Sequence, residues 1–216
     1  MKITIRNEKE EERFLVEKIT RDAFWNLYTP GCNEHFLIHK LRNHKDFIPE
    51  LCFVLERAGE VIGSIFYSHS KVVDLDGTEY KTITFGPVSI RPDFHRQGFG
   101  RMLISHSIDQ AKLQDYGAII IGGFPYHYKP YGFVGAKKYN IALEDGNYYT
   151  GIMALPLKDN YLDDIKKGVV YFSEALEPGE SGLDIFDAKF PQLKKEVKEC
   201  QGVFEQAVAE IDKMDY

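Results

Sequence analysis

The segment Val88-Ser89-Ile90-Arg91-Pro92-Asp93-Phe94-His95-Arg96-Gln97-Gly98-Phe99-Gly100-Arg101 carries the sharpest chemical signal in the chain. A strand pattern ends at Arg91-Pro92, a glycine-rich loop follows, and a helical pattern begins at once. Such a loop aims several backbone N–H groups at one spot. The helix N-terminus adds partial positive charge there, so the segment is suited to a diphosphate. Glycines at 98 and 100 let a phosphate approach the main chain with no Cβ in the way. A GxG alone also fits a glycine-rich helix start with no ligand. Two other phosphate motifs are excluded. The chain has no GxxxxGK followed by Ser or Thr, and the dinucleotide fingerprint needs Gly or Ala where Leu103 stands.

Other clusters carry less. His35 and His39 are four apart on one helix face with Cys32 nearby, a spacing that could hold a metal. The run Glu-His-Phe-Leu-Ile-His is not HExxH, and no metal is expected. Ser105-His106 sits inside a helical pattern without the strand–turn–helix context of a hydrolase nucleophile. Cys32, Cys52 and Cys200 are odd in number, dispersed and without a CxxC pair. Free thiols and a reducing, cytoplasmic setting are expected.

The elements that must position the loop follow from pattern. Glu10 to Trp25 reads as a helix with Leu15, Ile19 and Ala23 on one side, broken at Thr29-Pro30-Gly31. Asn33 is placed to cap a second helix running to about Arg42. Strands are expected over Leu51–Glu56, Val61–Tyr67, Lys71–Leu75 and Tyr80–Ile90, with Asp76-Gly77 as a hairpin signal. Gly98–Gln114 shows helical spacing through Met102, Leu103, Ile108 and Ala111, and Gly117 reads as its C-cap. Ala118–Ile121 is wholly apolar, as in a strand buried on both faces. An antiparallel meander followed by a strand–helix–strand crossover predicts a mixed α/β fold, mostly antiparallel, with helices on the sheet's faces. Tyr148–Leu155 reads as another strand and about Gln192–Met214 as a helix, with Leu193, Val197, Phe204, Val208 and Ile211 as its apolar stripe. Pro156–Pro191 shows no clear pattern.

Composition narrows the function. With 44% hydrophobic and 28% charged residues, the 216-residue chain can bury a sizeable core without staples. A net charge of −6 disfavours binding nucleic acid through overall positive charge. No apolar run approaches the ~20 residues of a membrane span, and the charged stretch Glu8–Arg13 leaves no secretory h-region. A soluble protein with neither nucleic acid nor membrane as partner is expected.

The loop His95-Arg96-Gln97-Gly98-Phe99-Gly100 resembles motif A of the GNAT family of N-acetyltransferases, which reads Q/R-x-x-G-x-G/A before a helix. The order of elements is similar too. Tyr126-His127-Tyr128-Lys129-Pro130-Tyr131-Gly132-Phe133 resembles the family's (F/Y)Y-x-x-x-GF segment after its fifth strand. Glu34 with Leu41-Arg42, and Phe85-Gly86-Pro87-Val88, resemble a bacterial subgroup of acetyltransferases with unassigned substrates. Two positions depart from the pattern: His95 stands where Gln or Arg is usual, and His127 where Phe or Tyr is usual.

The resemblance implies a GNAT (acyl-CoA N-acyltransferase) fold, with residues 1–156 as the core and 157–216 as a C-terminal extension packed on the same domain. It implies acetyl-CoA as co-substrate. The diphosphate would lie on the N–H groups of Arg96, Gln97, Gly98, Phe99, Gly100 and Arg101. The pantetheine arm would pair with the edge of Val88, Ser89 and Ile90, and Gly86-Pro87 suits a bulge there. An amine attacks the thioester, and a backbone N–H near Ile90 meets the developing oxyanion. Tyr128 matches the family's tyrosine and would protonate the departing thiolate; a packing tyrosine is the alternative. Glu34 is the candidate base, against a plain role complementing its helix dipole. Two rival readings are a non-catalytic acyl-CoA-binding module and an acyltransferase for longer chains. The acceptor is unassigned, and monomer and homodimer both remain open.

Overall fold

The computed structural model describes residues 2–177 and 179–216; Met1 and Pro178, which fall in the expected core and extension, lie outside the described residues. The strands are β1 (Ile3–Asn7), β2 (Phe53–Arg57), β3 (Glu60–Val73), β4 (Glu79–Ile90), β5 (Ala118–Gly122), β6 (Val134–Gly135), β7 (Ile141–Ala142), β8 (Ile152–Pro156) and β9 (Gly168–Tyr171). The helices are α1 (Arg13–Phe24), α2 (Glu34–Leu41), α3 (Phe99–Leu113), α4 (Pro125–Tyr128), α5 (Leu183–Asp187) and α6 (Glu199–Ala209). Strand order is β1-β2-β3-β4-β5-β8-β6, with β9 pairing β3 and β7. The pairs β1–β2, β2–β3 and β5–β8 are antiparallel and β4–β5 is parallel, so the mixed, mostly antiparallel expectation holds.

Several expectations are corrected. Pattern reading misses β1, a five-residue strand whose Ile3 and Ile5 alternate with polar residues and whose first four residues are all half-buried. Val61–Tyr67 and Lys71–Leu75 are one strand, because the polar link at Ser68 is buried rather than looped out. Leu15 and Met102 are exposed; Val16 and Leu103 take the buried sides of their helices. Gly117 does not cap α3. The left-handed residue there is Asp115 (φ 65°), and a Cβ on Gly117 would meet the Tyr161 ring at 2.1 Å.

The chain divides into two compact units, Met1–Tyr67 with Gly86–Asp109 and Glu174–Gly202, and Ser68–Phe85 with Gln110–Ser173 and Val203–Tyr216. The last 60 residues are thus distributed over both. In the second unit Val72, Ala118, Ile120, Ala154 and Val170 form a buried core. In the first, Val16, Ile19, Ile38, Leu41, Leu55, Ile62 and Leu103 are buried.

The first unit also holds a polar anchor for the tail. Arg21 of α1 is 1% exposed, and its Nε and Nη2 donate to Asp187 at 2.6 and 3.1 Å. His35 of α2 is fully buried. Its Nε2 lies 3.0 Å from Asp187 Oδ1, and its Nδ1 lies 3.5 Å from the Cys32 thiol. Burial pushes the His35 imidazole down to about 4, so it stays neutral at physiological pH, and the Asp187 charge only partly opposes this. Burial would raise the Asp187 carboxyl, but the Arg21 hydrogen bonds and charge outweigh it and hold Asp187 below its ordinary value.

Asn26, left-handed at φ 58° and buried, ties the loop after α1 to the chain before α6. Its Oδ1 accepts from the N–H groups of Gly31 and Glu196 at 2.8 and 3.0 Å, and its Nδ2 donates to Lys194 O at 2.9 Å. Because residues 194–196 bond to Asn26, α6 starts only at Glu199 and not near Gln192. The expected apolar stripe is not what holds the tail: Leu193, Val197, Val208 and Ile211 are all exposed.

Candidate functional site

The glycine-rich loop is built at the end of β4. A 3-10 turn over Pro92–Phe94 leads to Arg96 at φ 58° and Gly98 at φ 87°, and α3 begins at Phe99. Met102 N–H donates to Gly98 O at 3.1 Å, the first bond of the helical ladder. The amides of the residues before it therefore have no intrahelical partner. A Cβ on Gly98 would meet nothing within 4 Å, so the space over its backbone is open. Open space over unpaired helix-start amides fits a phosphate group.

Exposed side chains stiffen this loop. Arg91 Nε and Nη2 donate to the Asp93 carboxylate at 2.7 and 2.9 Å, which holds that carboxyl below its ordinary value, and Arg91 also pairs with Glu60. Gln97 Nε2 donates to Asp93 O at 3.1 Å, and Arg91 N–H donates to Ile62 O at 2.7 Å. The rings of Phe94 and Phe99 pack edge to face at 6.0 Å. His95 Nε2 lies 2.6 Å from Ile90 O.

Val88, Ser89 and Ile90 end β4 in the same unit. The Ser89 side chain points into the body, with Oγ 2.9 Å from Ser64 Oγ and 3.1 Å from Thr20 Oγ1. Only its backbone is left for a ligand. Gly86-Pro87 is a cis peptide inside β4, which remains one strand through Ile90. Parallel pairing of β4 with β5 is found at Ile83 and Ile119.

Glu34 opens α2, also in the first unit. Its Oε2 accepts the Asn33 N–H at 3.1 Å, so Glu34 serves the helix start that the Asn33 side chain was expected to cap. Burial pushes its carboxyl up to about 6, a value at which a carboxylate accepts protons near neutral pH. The helix-dipole role is thus present, and the base role has a suitable pKa beside it.

Tyr128 ends α4 in the second unit, half-buried, with ring centroids 5.8 Å from Phe85 and 5.9 Å from Phe133. Tyr126, two positions away, is exposed. Gly123 is a candidate positioning residue for Tyr128 that sequence reasoning missed. A Cβ there would meet Tyr128 Cε2 at 2.6 Å, so the bare backbone sets where the phenol ring lies. The pair Gly122-Gly123 at the end of β5 is its signal in the sequence. His127 fits beside Tyr126 at 4.3 Å and Phe124 at 6.1 Å.

His35 and His39 go to different partners: His39 Nδ1 lies 2.9 Å from Glu17 Oε1, while His35 faces Asp187. Among the described residues no group of three or more His, Cys, Asp or Glu is arranged to hold a metal ion. Nor is any described helix long and apolar enough to cross a membrane.

Comparison with known proteins adds an independent line. The uncharacterized N-acetyltransferase YhbS of Escherichia coli strain K12 is 24% identical over 138 residues, spanning 64% of this chain and 80% of the relative. The crystal structure of YhbS from Escherichia coli in complex with CoA superposes with a TM-score of 0.70 at 21% identity, covering 82% of this chain and 93% of that one. A GNAT family acetyltransferase from Brucella melitensis, in complex with acetyl-CoA, gives a TM-score of 0.63 at 22% identity, covering 81% and 97%. These likenesses establish the fold. Residues 21–137 match the Acetyltransferase (GNAT) family. That span is more than half of the 216 residues and contains Glu34, the Val88–Arg101 segment and Tyr128, so the chain belongs to the GNAT family of acetyltransferases.

Proposed function

We propose that the protein is an N-acetyltransferase that moves an acetyl group from acetyl-CoA to a primary amine by direct attack on the thioester. The observation that carries this reading is the loop at Arg96–Arg101, where left-handed Gly98 and the unpaired first-turn amides of α3 leave an open anion cradle. The neighbours with CoA and acetyl-CoA in their structures support it.

Acetyl-CoA, when bound, supplies an activated acetyl thioester. The chain's residues do the rest. The N–H groups of Arg96–Arg101 hold the diphosphate, and the backbone of Val88–Ile90 takes the pantetheine amides as a neighbouring strand would. An alkyl amine of pKa ~10 is mostly protonated at neutral pH. Glu34, with its carboxyl near 6, accepts that proton directly or through water. The neutral amine then attacks, forming C–N as C–S breaks, and the N–H near Ile90 meets the charge that builds on the carbonyl oxygen. Tyr128 donates its phenolic proton to the departing sulfur, and the second proton that the nitrogen sheds as the amide forms restores the phenol, leaving amide and CoA thiol as products.

The test is thiol release from acetyl-CoA across a panel of small amines, amino acids and lysine peptides. Tyr128→Phe should lower kcat by ~10²–10⁴-fold with little change in acetyl-CoA affinity, because the donor acts only as charge leaves on sulfur. Tyr126→Phe and Tyr131→Phe are the controls. Tight CoA binding without thiol release from any acceptor would favour a binding module. Equal rates for wild type and Tyr128→Phe, with chemistry rate-limiting, would remove Tyr128 from the mechanism.

A further inference from the structure

We propose that His95 is a positioning residue: its imidazole braces the phosphate loop against the end of β4 and so presets the backbone shape that receives the diphosphate. The inference rests on the proposed reading of the loop as the CoA diphosphate site. It concerns the one loop position, His95, where this chain departs from the Q/R-x-x-G-x-G/A pattern.

The geometry is local and specific. His95 Nε2 lies 2.6 Å from Ile90 O, across five positions of chain. A carbonyl oxygen only accepts, so the partner assigns the proton to Nε2, with Nδ1 left as an acceptor when the ring is neutral. The residue is exposed, so the bond contributes little to core packing. What it does is close the turn from Ile90 to His95.

Immediately after the brace stands Arg96 at φ 58°. A side chain-bearing residue in the left-handed region is strained, and such a conformation persists where its surroundings over-determine it. Several contacts share that work. Arg91 and Gln97 secure Asp93, the N–H groups of Phe94 and His95 close the 3-10 turn onto Arg91 O and Pro92 O at 2.9 and 3.2 Å, and α3 secures the chain from Gly98 onward. Between them His95 ties the turn itself to the strand. That strand end, Val88–Ile90, is also the proposed pantetheine edge, so one hydrogen bond couples the geometry of the two cofactor-binding segments.

The chemistry explains why histidine is accepted at this position. The brace needs an N–H donor of moderate reach, which His, Gln and Arg all supply. It follows that Gln restores the brace and Ala does not. Loss of a preset shape appears as weaker binding, because the ordering must then be supplied on association.

The experiment compares wild type, His95→Ala and His95→Gln in two arms. The first uses ligand-free protein and reads backbone ¹⁵N relaxation of residues 95–98, together with the His95 ring ¹⁵N shifts. Wild type should show the Nε2–H tautomer and rigid amides, with order parameters near ~0.85; His95→Ala should drop toward ~0.6, and His95→Gln should return. Melting temperature should be the same in all three. The second arm titrates CoA calorimetrically. His95→Ala should weaken binding about fivefold, the worth of one hydrogen bond near 1 kcal/mol, and His95→Gln should recover to within about twofold. With an acceptor in hand, KM for acetyl-CoA rises in His95→Ala while kcat is unchanged. Equally rigid loops in wild type and His95→Ala would overturn the brace, as would failure of Gln to restore what Ala removes. Rigid wild type that loosens in His95→Ala, but with no CoA binding in any form, would keep the brace and overturn the proposed cofactor site instead.

Discussion

Around Arg96 and Gly98 the backbone is held mainly by side chains whose partners lie two to five residues away, with half-buried Arg91 also reaching Glu60. Around Arg21 and Asn26, in the same unit, it is held by buried side chains whose partners in the tail lie 166 to 170 residues away. The loop leaves backbone N–H groups unpaired and open. The anchor leaves almost nothing open: the Arg21 guanidinium is neutralised by Asp187, and Asn26 bonds three other chain positions through its amide. A recognition surface needs unsatisfied donors that water or a ligand can reach. A tether needs the opposite, since a buried unpaired group costs more than its partner contributes. The contrast separates the part of the unit proposed to meet a ligand from the part that keeps the unit together.

The largest expected effect is on the tether. Asp187→Ala leaves the Arg21 charge buried and unpaired, and stability should fall by about 3–5 kcal/mol. Denaturant unfolding checks this. CoA affinity of the folded variant should stay close to wild type, and a loss of affinity without a loss of stability would invert the comparison.

The next effect is in the pH dependence, where two groups of opposite sign sit side by side. His35 has its folded pKa depressed to about 4, so the unfolded chain binds more protons between pH ~6.5 and 4. Its contribution is present above that range and is lost as pH falls. Glu34 has its folded pKa raised to about 6, so the folded chain binds more protons between pH 6 and the ordinary ~4.5, and its contribution grows as pH falls. Glu34→Gln should therefore show a steeper loss of stability on acidification than wild type, and His35→Gln a shallower one. Identical slopes in melting temperature against pH would remove both assignments.

Asn26→Ala should cost a smaller amount, roughly 2 kcal/mol, from lost hydrogen bonds and a left-handed residue without its amide. Limited proteolysis should then open residues 192–198 first. A smaller effect again is expected of Gly123→Ala in the second unit, where the added methyl group displaces the Tyr128 ring. It should lower kcat and leave CoA binding intact, and an unchanged kcat would show that the ring's place is not set there.

The difference between the two regions is also a difference in legibility. The glycine-rich loop is readable in the sequence because its parts are contiguous: a strand end, Gly98 and a helix start within a dozen residues. The mixed sheet and the crossover at β4–α3–β5 follow from period and punctuation in the same way. The anchor is not readable, because no spacing rule connects Arg21 to Asp187 or Asn26 to Glu196. The tail shows what happens when only the local signal is used. Its apolar spacing predicts a buried helix, whereas the tail is held before that helix, by the amide and guanidinium contacts and by Phe186 and Phe190 packed on Phe36, and its Val197 and Val208 face outward. Gly117 misleads for a related reason: its lack of a side chain serves Tyr161, 44 residues on, rather than the helix it follows.

The central claim is that the backbone of the Gly98 loop holds an acyl-CoA, and a calorimetric titration of CoA into wild type and Gly98→Val tests it most directly. Gly98 stands at φ 87°, where a β-branched side chain is strained and its bulk fills the open space over the backbone. Wild type should bind one CoA per chain. Gly98→Val should bind it at least tenfold more weakly, a difference of about 1.4 kcal/mol, while remaining folded. Equal affinities in the two proteins, or no binding to wild type, would contradict the account.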